Sequence, residues 1–253
     1  MSTPKRVLLI LAVSGLLCGT YLWFFGVATM FALEARYFGW KMPAVNKTPT
    51  ELPDQSIAQG SARKLAYFGY EFEVPWEIDE AKTKQVGQMQ LIAFRSGNSL
   101  LVSRIPPKEF VNGFLSTGKV DPTILKALYG EDVLKSDYSL KQRILETTPD
   151  KVGLLTPGKE AAGSAMPLLV KGIMTGGESG IYRIQTEDFR GFQFGDPRSR
   201  PRSIDLEIHN EDGGLGFVFI QRQNGSEPPI TQAEINRVIQ SLHKSISQSD
   251  HVS

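Results

Sequence analysis

Three arginines, Arg198, Arg200 and Arg202, alternate with small residues and prolines in the run Gly195-Asp196-Pro197-Arg198-Ser199-Arg200-Pro201-Arg202-Ser203. Proline stiffens such a run toward an extended loop, from which all three guanidinium groups can face one anionic surface. The run is therefore a candidate anion- or partner-binding site. Lipid headgroups, acidic proteins and anionic polymers are the partners its chemistry fits; a solvated loop kept soluble by its charge is the plainer alternative. Nucleic acid is not expected, because the neighbouring Phe192 and Phe194 fall in strand period and read as core rather than as stacking platforms.

Other constellations carry less. His209, Glu211 and Asp212 offer one nitrogen and two carboxylates around a turn, a weak candidate for a divalent cation. Three ligands packed into four residues of a hairpin tip rarely converge without a distant fourth, so no metal is assigned. Gly177-Glu178-Ser179-Gly180-Ile181 is similar to a nucleophile elbow but lacks the second glycine in its required place. Ser-x-x-Lys spacing occurs at Ser61 to Lys64 and at Ser241 to Lys244, as expected by chance in a chain with this many serines and lysines. Glu71 and Glu73 lie two apart on one strand face, but paired carboxylate chemistry needs one of them desolvated and nothing adjacent supplies that. The single cysteine, Cys18, excludes an intramolecular disulfide and any multi-cysteine metal site. No catalytic residue and no cofactor is assigned.

The elements that must position these residues begin with an uncharged run. From Val7 to Leu33 no residue is charged, a length that as helix spans about 40 Å against a hydrocarbon core of about 30 Å. Residues 7–33 are accordingly expected to be an uncleaved transmembrane signal-anchor helix. Residues 1–6, with Lys5 and Arg6, form a short basic cytoplasmic tail, which sends the rest of a single-pass protein to the extracytoplasmic side. Arg36, Tyr37 and Trp40 have the aromatic and basic character of a membrane interface. Residues 34–64, with Pro43, Pro49 and Pro53, read as a tether.

A globular domain is expected over 65–247, with a disordered tail over 248–253. The chain of 253 residues, 41% hydrophobic and 22% charged, is long enough to bury a core, and its formal charge of +1 exerts no general pull on acidic partners. Tyr70, Phe72 and Val74 alternate with Glu71 and Glu73 as in a half-buried strand that Pro75 closes. Strands are expected over 88–95, 99–105, 181–186, 189–194, 203–209 and 215–221. Short amphipathic helices follow Pro106-Pro107 and the Asp121-Pro122 cap, a third covers 138–146, and a fourth, with Pro167 inside it, covers 158–174. Thr231-Gln232-Ala233-Glu234 is a capping box, and Ile235, Val238, Ile239, Leu242 and Ile246 form one apolar helical face behind it. The fold class is α+β: an N-terminal transmembrane helix, then an antiparallel sheet packed with helices in a sandwich-like α/β/α arrangement.

Gly69-Tyr70-Glu71-Phe72-Glu73-Val74-Pro75-Trp76 at the front, and Phe217-Val218-Phe219-Ile220 followed by Ile235 to Leu242 at the rear, resemble the PsbP-like domains. The resemblance covers the two ends of the globular part, and the helical stretch from Pro106 to Met174 is longer than that pattern. It implies a non-catalytic binding or assembly role on a membrane complex and hands over no catalytic residue. The expected function is a membrane-anchored extracytoplasmic binding domain whose partner is another membrane or extracytoplasmic protein, or anionic headgroups. A membrane-anchored hydrolase with dispersed catalytic residues and a carrier of an apolar ligand are the alternatives.

Overall fold

Strict alternation along the strands gives them one face to bury, and the computed structural model shows what each face meets. It describes residues 3–118, 121–151, 158–175, 180–222 and 228–245. The elements in chain order are α1 (Thr3–Lys41), β1 (Thr50–Glu51), β2 (Arg63–Tyr67), β3 (Tyr70–Val74), β4 (Lys84–Val86), β5 (Met89–Ala93), β6 (Ser99–Ile105), α2 (Glu109–Gly118), α3 (Pro122–Tyr129), α4 (Asp137–Glu146), α5 (Gly158–Thr175), β7 (Ile181–Gln185), β8 (Arg190–Phe194), β9 (Ser203–Asn210), β10 (Gly213–Ile220), α6 (Gln232–Ser241) and β11 (His243–Lys244). Short 3-10 turns lie between several of them. The expected tail over 248–253 falls outside the described residues.

The chain divides into two compact units. One comprises Met1–Thr48, Gly113–Lys135 and Ser139–Gly177, and the other Pro49–Asn112, Ser136–Tyr138 and Glu178–Ser253.

The second unit is built on an eight-stranded sheet in the order β1-β7-β8-β9-β10-β6-β5-β4. Every neighbouring pair is antiparallel except β1 and β7, which run parallel, so the sheet is mixed where an antiparallel one was expected. Consecutive strands joined by short turns must pair antiparallel, whereas β1 reaches its place from far upstream and is free to run the other way. One face of the sheet carries Ile204, Leu206, Leu215, Phe217, Phe219 and Leu100, all essentially inaccessible. A second sheet, β11-β3-β2, presents Tyr70, Phe72 and Val74 to it, and α6 adds Ile235, Val238 and Ile239. Phe72 meets Phe217 edge to face at 5.2 Å between centroids, the geometry that the ring quadrupole favours. Gly191 allows β8 its closest approach to β9: a Cβ there would lie 2.1 Å from the Glu207 carbonyl oxygen.

Helix α6 is fixed at its start by the capping box. The Thr231 hydroxyl accepts from the Glu234 amide, and the Glu234 carboxylate accepts from the Thr231 amide at 2.8 Å. Its polar side is not a solvated face. Asn236 Nδ2 donates to the carbonyls of Asp54 and Ser56, and Arg237 Nη1 donates to those of Ala58 and Gly60. The segment over 54–60, within the stretch read as a tether, is thus strapped along the helix.

The first unit is helical. In it Ala32 and Ala35 of α1 are buried with Val45 and with Leu168 of α5. Small residues let two helices approach closely, and Gly172 extends this contact by leaving room for Met42. The transmembrane expectation for residues 7–33 is overturned here: among the described residues, no helix is long and apolar enough to cross a membrane. The uncharged run is diluted by Ser14, Gly15, Gly19, Thr20, Gly26 and Thr29. Its helix does not stop at Leu33 but continues through Glu34 and Arg36 to Lys41, with small residues committed to packing on protein. The signal-anchor, single-pass and extracytoplasmic assignments rested on that span and fall with it.

Lys171 on α5 is fully buried, and its ammonium donates to the Thr147 carbonyl at 2.8 Å, just past the end of α4. A cation there complements the carbonyl end of a helix. Burial, reinforced by the Lys151 charge and opposed by Asp150, pushes its pKa down from 10.5 to about 8. The unfolded chain then binds the extra proton between those two values, so stability of the helical unit should rise as pH climbs from about 8 to about 10.5, by on the order of 3 kcal/mol. Urea denaturation followed by circular dichroism across that window should show the rise, and Lys171→Met should abolish it. In the second unit, Phe72→Ala should cost about 3 to 5 kcal/mol in the same assay, since it empties the centre of the inter-sheet core.

Candidate functional site

An aspartate followed by proline is a local instruction to start a turn: the carboxylate caps the free amides, and proline is preset for the first position. Asp196-Pro197 follows it. Residues Pro197–Ser199 form a 3-10 turn, and Asp196 accepts from the Arg198 amide at 2.9 Å. The loop is therefore wound rather than extended. Arg198 curls back onto its own cap, with Nε 3.0 Å from Oδ1 and Nη2 2.7 Å from Oδ2 of Asp196. Tyr182 on β7 donates its hydroxyl to Asp196 Oδ2 at 2.9 Å. The Arg198 guanidinium, its amide and the Tyr182 hydroxyl hold the Asp196 pKa at about 2, against the opposing effect of burial.

Arg198 is thus neutralised within the loop, and the three arginines do not act as one set. Arg200 takes a left-handed conformation, φ 51°, that turns the chain, and Pro201 behind it is buried. Arg200 and Arg202 are exposed, and among the described residues neither guanidinium has a hydrogen-bond or ion-pair partner.

The base of the loop is fastened at several points. Gly195 donates its amide to the Gly180 carbonyl, and its own carbonyl accepts from the buried Gln193 side chain. Gln221 donates its amide to Arg202 and its side-chain nitrogen to the Pro201 carbonyl, while its Oε1 accepts from the Ile230 amide. A side chain on Gly180 would strike the Tyr182 ring at 2.7 Å, so glycine there gives Tyr182 its approach to Asp196. The sequence reading missed Asp196 and Tyr182 as parts of this site. The Asp-Pro signal was present at 196 just as it was at Asp121-Pro122, where Asp121 caps α3; the Tyr182 contact is a tertiary one with no local signal.

The remaining candidates are placed plainly. His209 is buried in β9, while Glu211 and Asp212 lie exposed at the turn beyond it, where Asp212 pairs with Lys244. Among the described residues no group of three His, Cys, Asp or Glu side chains could hold a metal ion. Glu73 accepts from Arg237 at 3.2 Å and Glu71 faces His243 Nε2 at 3.3 Å, so both half-buried carboxylates tie β3 to α6 and β11. Ser241 is committed to backbone, accepting from the Glu73 amide and donating to the Val238 carbonyl. The elbow-like serine, Ser179, lies outside the described residues. Tyr37 and Trp40 are 58% and 72% exposed, with the Lys41 ammonium 4.6 Å from the Trp40 ring centroid, and Arg36 is exposed beside them. The side chains of Lys5 and Arg6 lie outside those described, and Cys18 is exposed.

The Asp196 charge should stabilise the loop above the carboxylate's ordinary pKa of 3.8 and cease to do so as pH falls through about 2. Asp196→Asn should cost about 1 to 2 kcal/mol at neutral pH, a value reduced by solvent screening of the exposed Arg198, and should remove the acid-side slope in that window. Thermal melts from neutral pH to pH 2 check both. Comparison of the chain with family models, with curated proteins and with solved structures returns no match.

Proposed function

We propose that this protein is a non-catalytic binding or assembly domain that engages an anionic partner through Arg200 and Arg202. The observation that supports this reading is the contrast within one loop. Arg198 is consumed by Asp196, whereas its two neighbours stand exposed on a backbone pinned at both ends. Presenting charge from a rigid base lowers the ordering cost of binding, since the loop entropy is already lost. Guanidinium groups fit carboxylate, sulfate and phosphate in a two-pronged geometry that lysine does not reproduce. With a net charge of only +1 on the whole chain, attraction for an anion must come from such a local pair. The resemblance to PsbP-like domains implies a role of the same kind.

Retention on immobilised heparin, a generic polyanion, tests the assignment. Replacing Arg200 and Arg202 together by serine should lower the salt concentration at elution and reduce the dependence of binding on salt by roughly one ion per arginine removed. Arg198→Gln combined with Asp196→Asn should change retention little, because that pair carries no net charge to begin with. Equal retention of the double variant and the parent protein would remove the loop from consideration.

A further inference from the structure

A cleft of about 390 Å³ opens in the second unit where β2 and the end of β3 meet residues 76–78 and Arg95. Its size lies at the small end of the range for ligand sites, roughly 300–1,000 Å³. The apolar part of its floor is Pro75 and Trp76, both partly exposed; Val74 and Ile78 also line it but are buried, and two guanidinium groups, Arg63 and Arg95, line it as well. We propose that this cleft binds a small organic anion with an apolar body, the body on Trp76 and Pro75 and the carboxylate or phosphate between Arg63 and Arg95. This goes beyond the arginine loop and does not depend on it.

The floor is preorganised. Trp76 donates its indole N–H to Glu234 Oε1 at 3.0 Å, and its ring packs on Phe94 and Phe219 at 4.9 and 5.8 Å. The indole cannot collapse into the cleft without losing all three contacts. Both arginine backbones are fixed too, Arg63 opposite Val74 in the β2-β3 ladder and Arg95 by the hydrogen bond that its amide donates to the Glu77 carbonyl.

Their charges are held loosely. Arg63 pairs with Glu80 and Arg95 with Glu77, the latter at 3.3 Å, and all four side chains are more than half exposed. Exposed pairs of this kind are worth about 0–1 kcal/mol. An incoming anion that also covers the apolar floor gains what the two glutamates cannot, the removal of apolar surface from water. Glu77 and Glu80 then act as resident counter-ions, displaced on binding. At rest the two glutamates balance the two cations, and only their displacement leaves both guanidinium groups to an anion, which a neutral or cationic ligand of equal shape cannot exploit.

Titration calorimetry on the full chain with benzoate and phenyl phosphate, and with benzyl alcohol as the neutral counterpart, tests the assignment. Saturable binding of the two anions at micromolar to millimolar concentration is expected, with no saturation by the alcohol. Arg63→Gln and Arg95→Gln should each weaken binding by about tenfold, and Arg63→Lys, which keeps the charge, should weaken it less. Glu77→Gln should tighten binding, an outcome that a merely structural ion pair does not produce. The joint serine variant at Arg200 and Arg202 should bind as the parent does, which separates this site from the loop. Absence of saturation by either anion at millimolar concentration, equal binding of the alcohol, or weaker binding by Glu77→Gln would overturn the proposal.

Discussion

Gln193 sits fully buried in the middle of β8, and a buried amide is costly unless its polar atoms find partners. The solution found here organises much of the second unit. Gln193 and Gln232 exchange hydrogen bonds at 2.7 and 2.9 Å, Gln232 donates onward to Asn236, and Asn236 donates to the carbonyls of Asp54 and Ser56. At its other end Gln193 holds the Gly195 carbonyl. One continuous chain of amides thus joins the arginine loop, the central sheet, the last helix and the strap over 54–56. Apolar burial supplies most of the cohesion between sheet and helix, but it is non-directional. The amide chain sets which rotation of α6 is allowed.

That division explains how an exposed loop can be well placed. The apolar face of α6 presses on the sheet, the amide chain fixes its angle, and Gln221 carries the constraint to Pro201 and Arg202. Asp196 and Tyr182 then hold the opposite end. The two exposed arginines inherit their positions from groups that are mostly buried, while the cleft at Trp76 inherits its floor from the same helix through Glu234. Glu234 serves twice, with one carboxylate oxygen on the Thr231 cap and the other on Trp76.

Legibility followed the range of the interaction. Helices α3 and α6 announced themselves through their caps at Asp121-Pro122 and Thr231–Glu234, because each signal lies within a few residues of its effect. Strand β2 was hidden inside a polar stretch, since Arg63 and Lys64 break the apolar alternation and its residues are at best half-buried. β1, β4 and β11 are two or three residues long, too short to show any period. The contact between Arg237 and Glu73 spans 164 residues and no local pattern encodes it. The burial of Gln232 and Asn236 on α6 is invisible for the same reason: they are the residue types of a surface, and only the tertiary structure shows them buried. The N-terminal run failed differently, for its lack of charge was real, yet among the described residues no helix is long and apolar enough to cross a membrane.

The large sheet ends in β1 on one side and β4 on the other, strands of two and three exposed residues. A long flat edge would offer a row of unpaired amides and carbonyls to any passing extended chain. Here the row is too brief to hold a partner in register, and Glu51 and Lys84 place opposite charges at its two ends. An eight-stranded sheet can therefore remain finite at high concentration, its growth into fibres stopped by the shortness of its own borders.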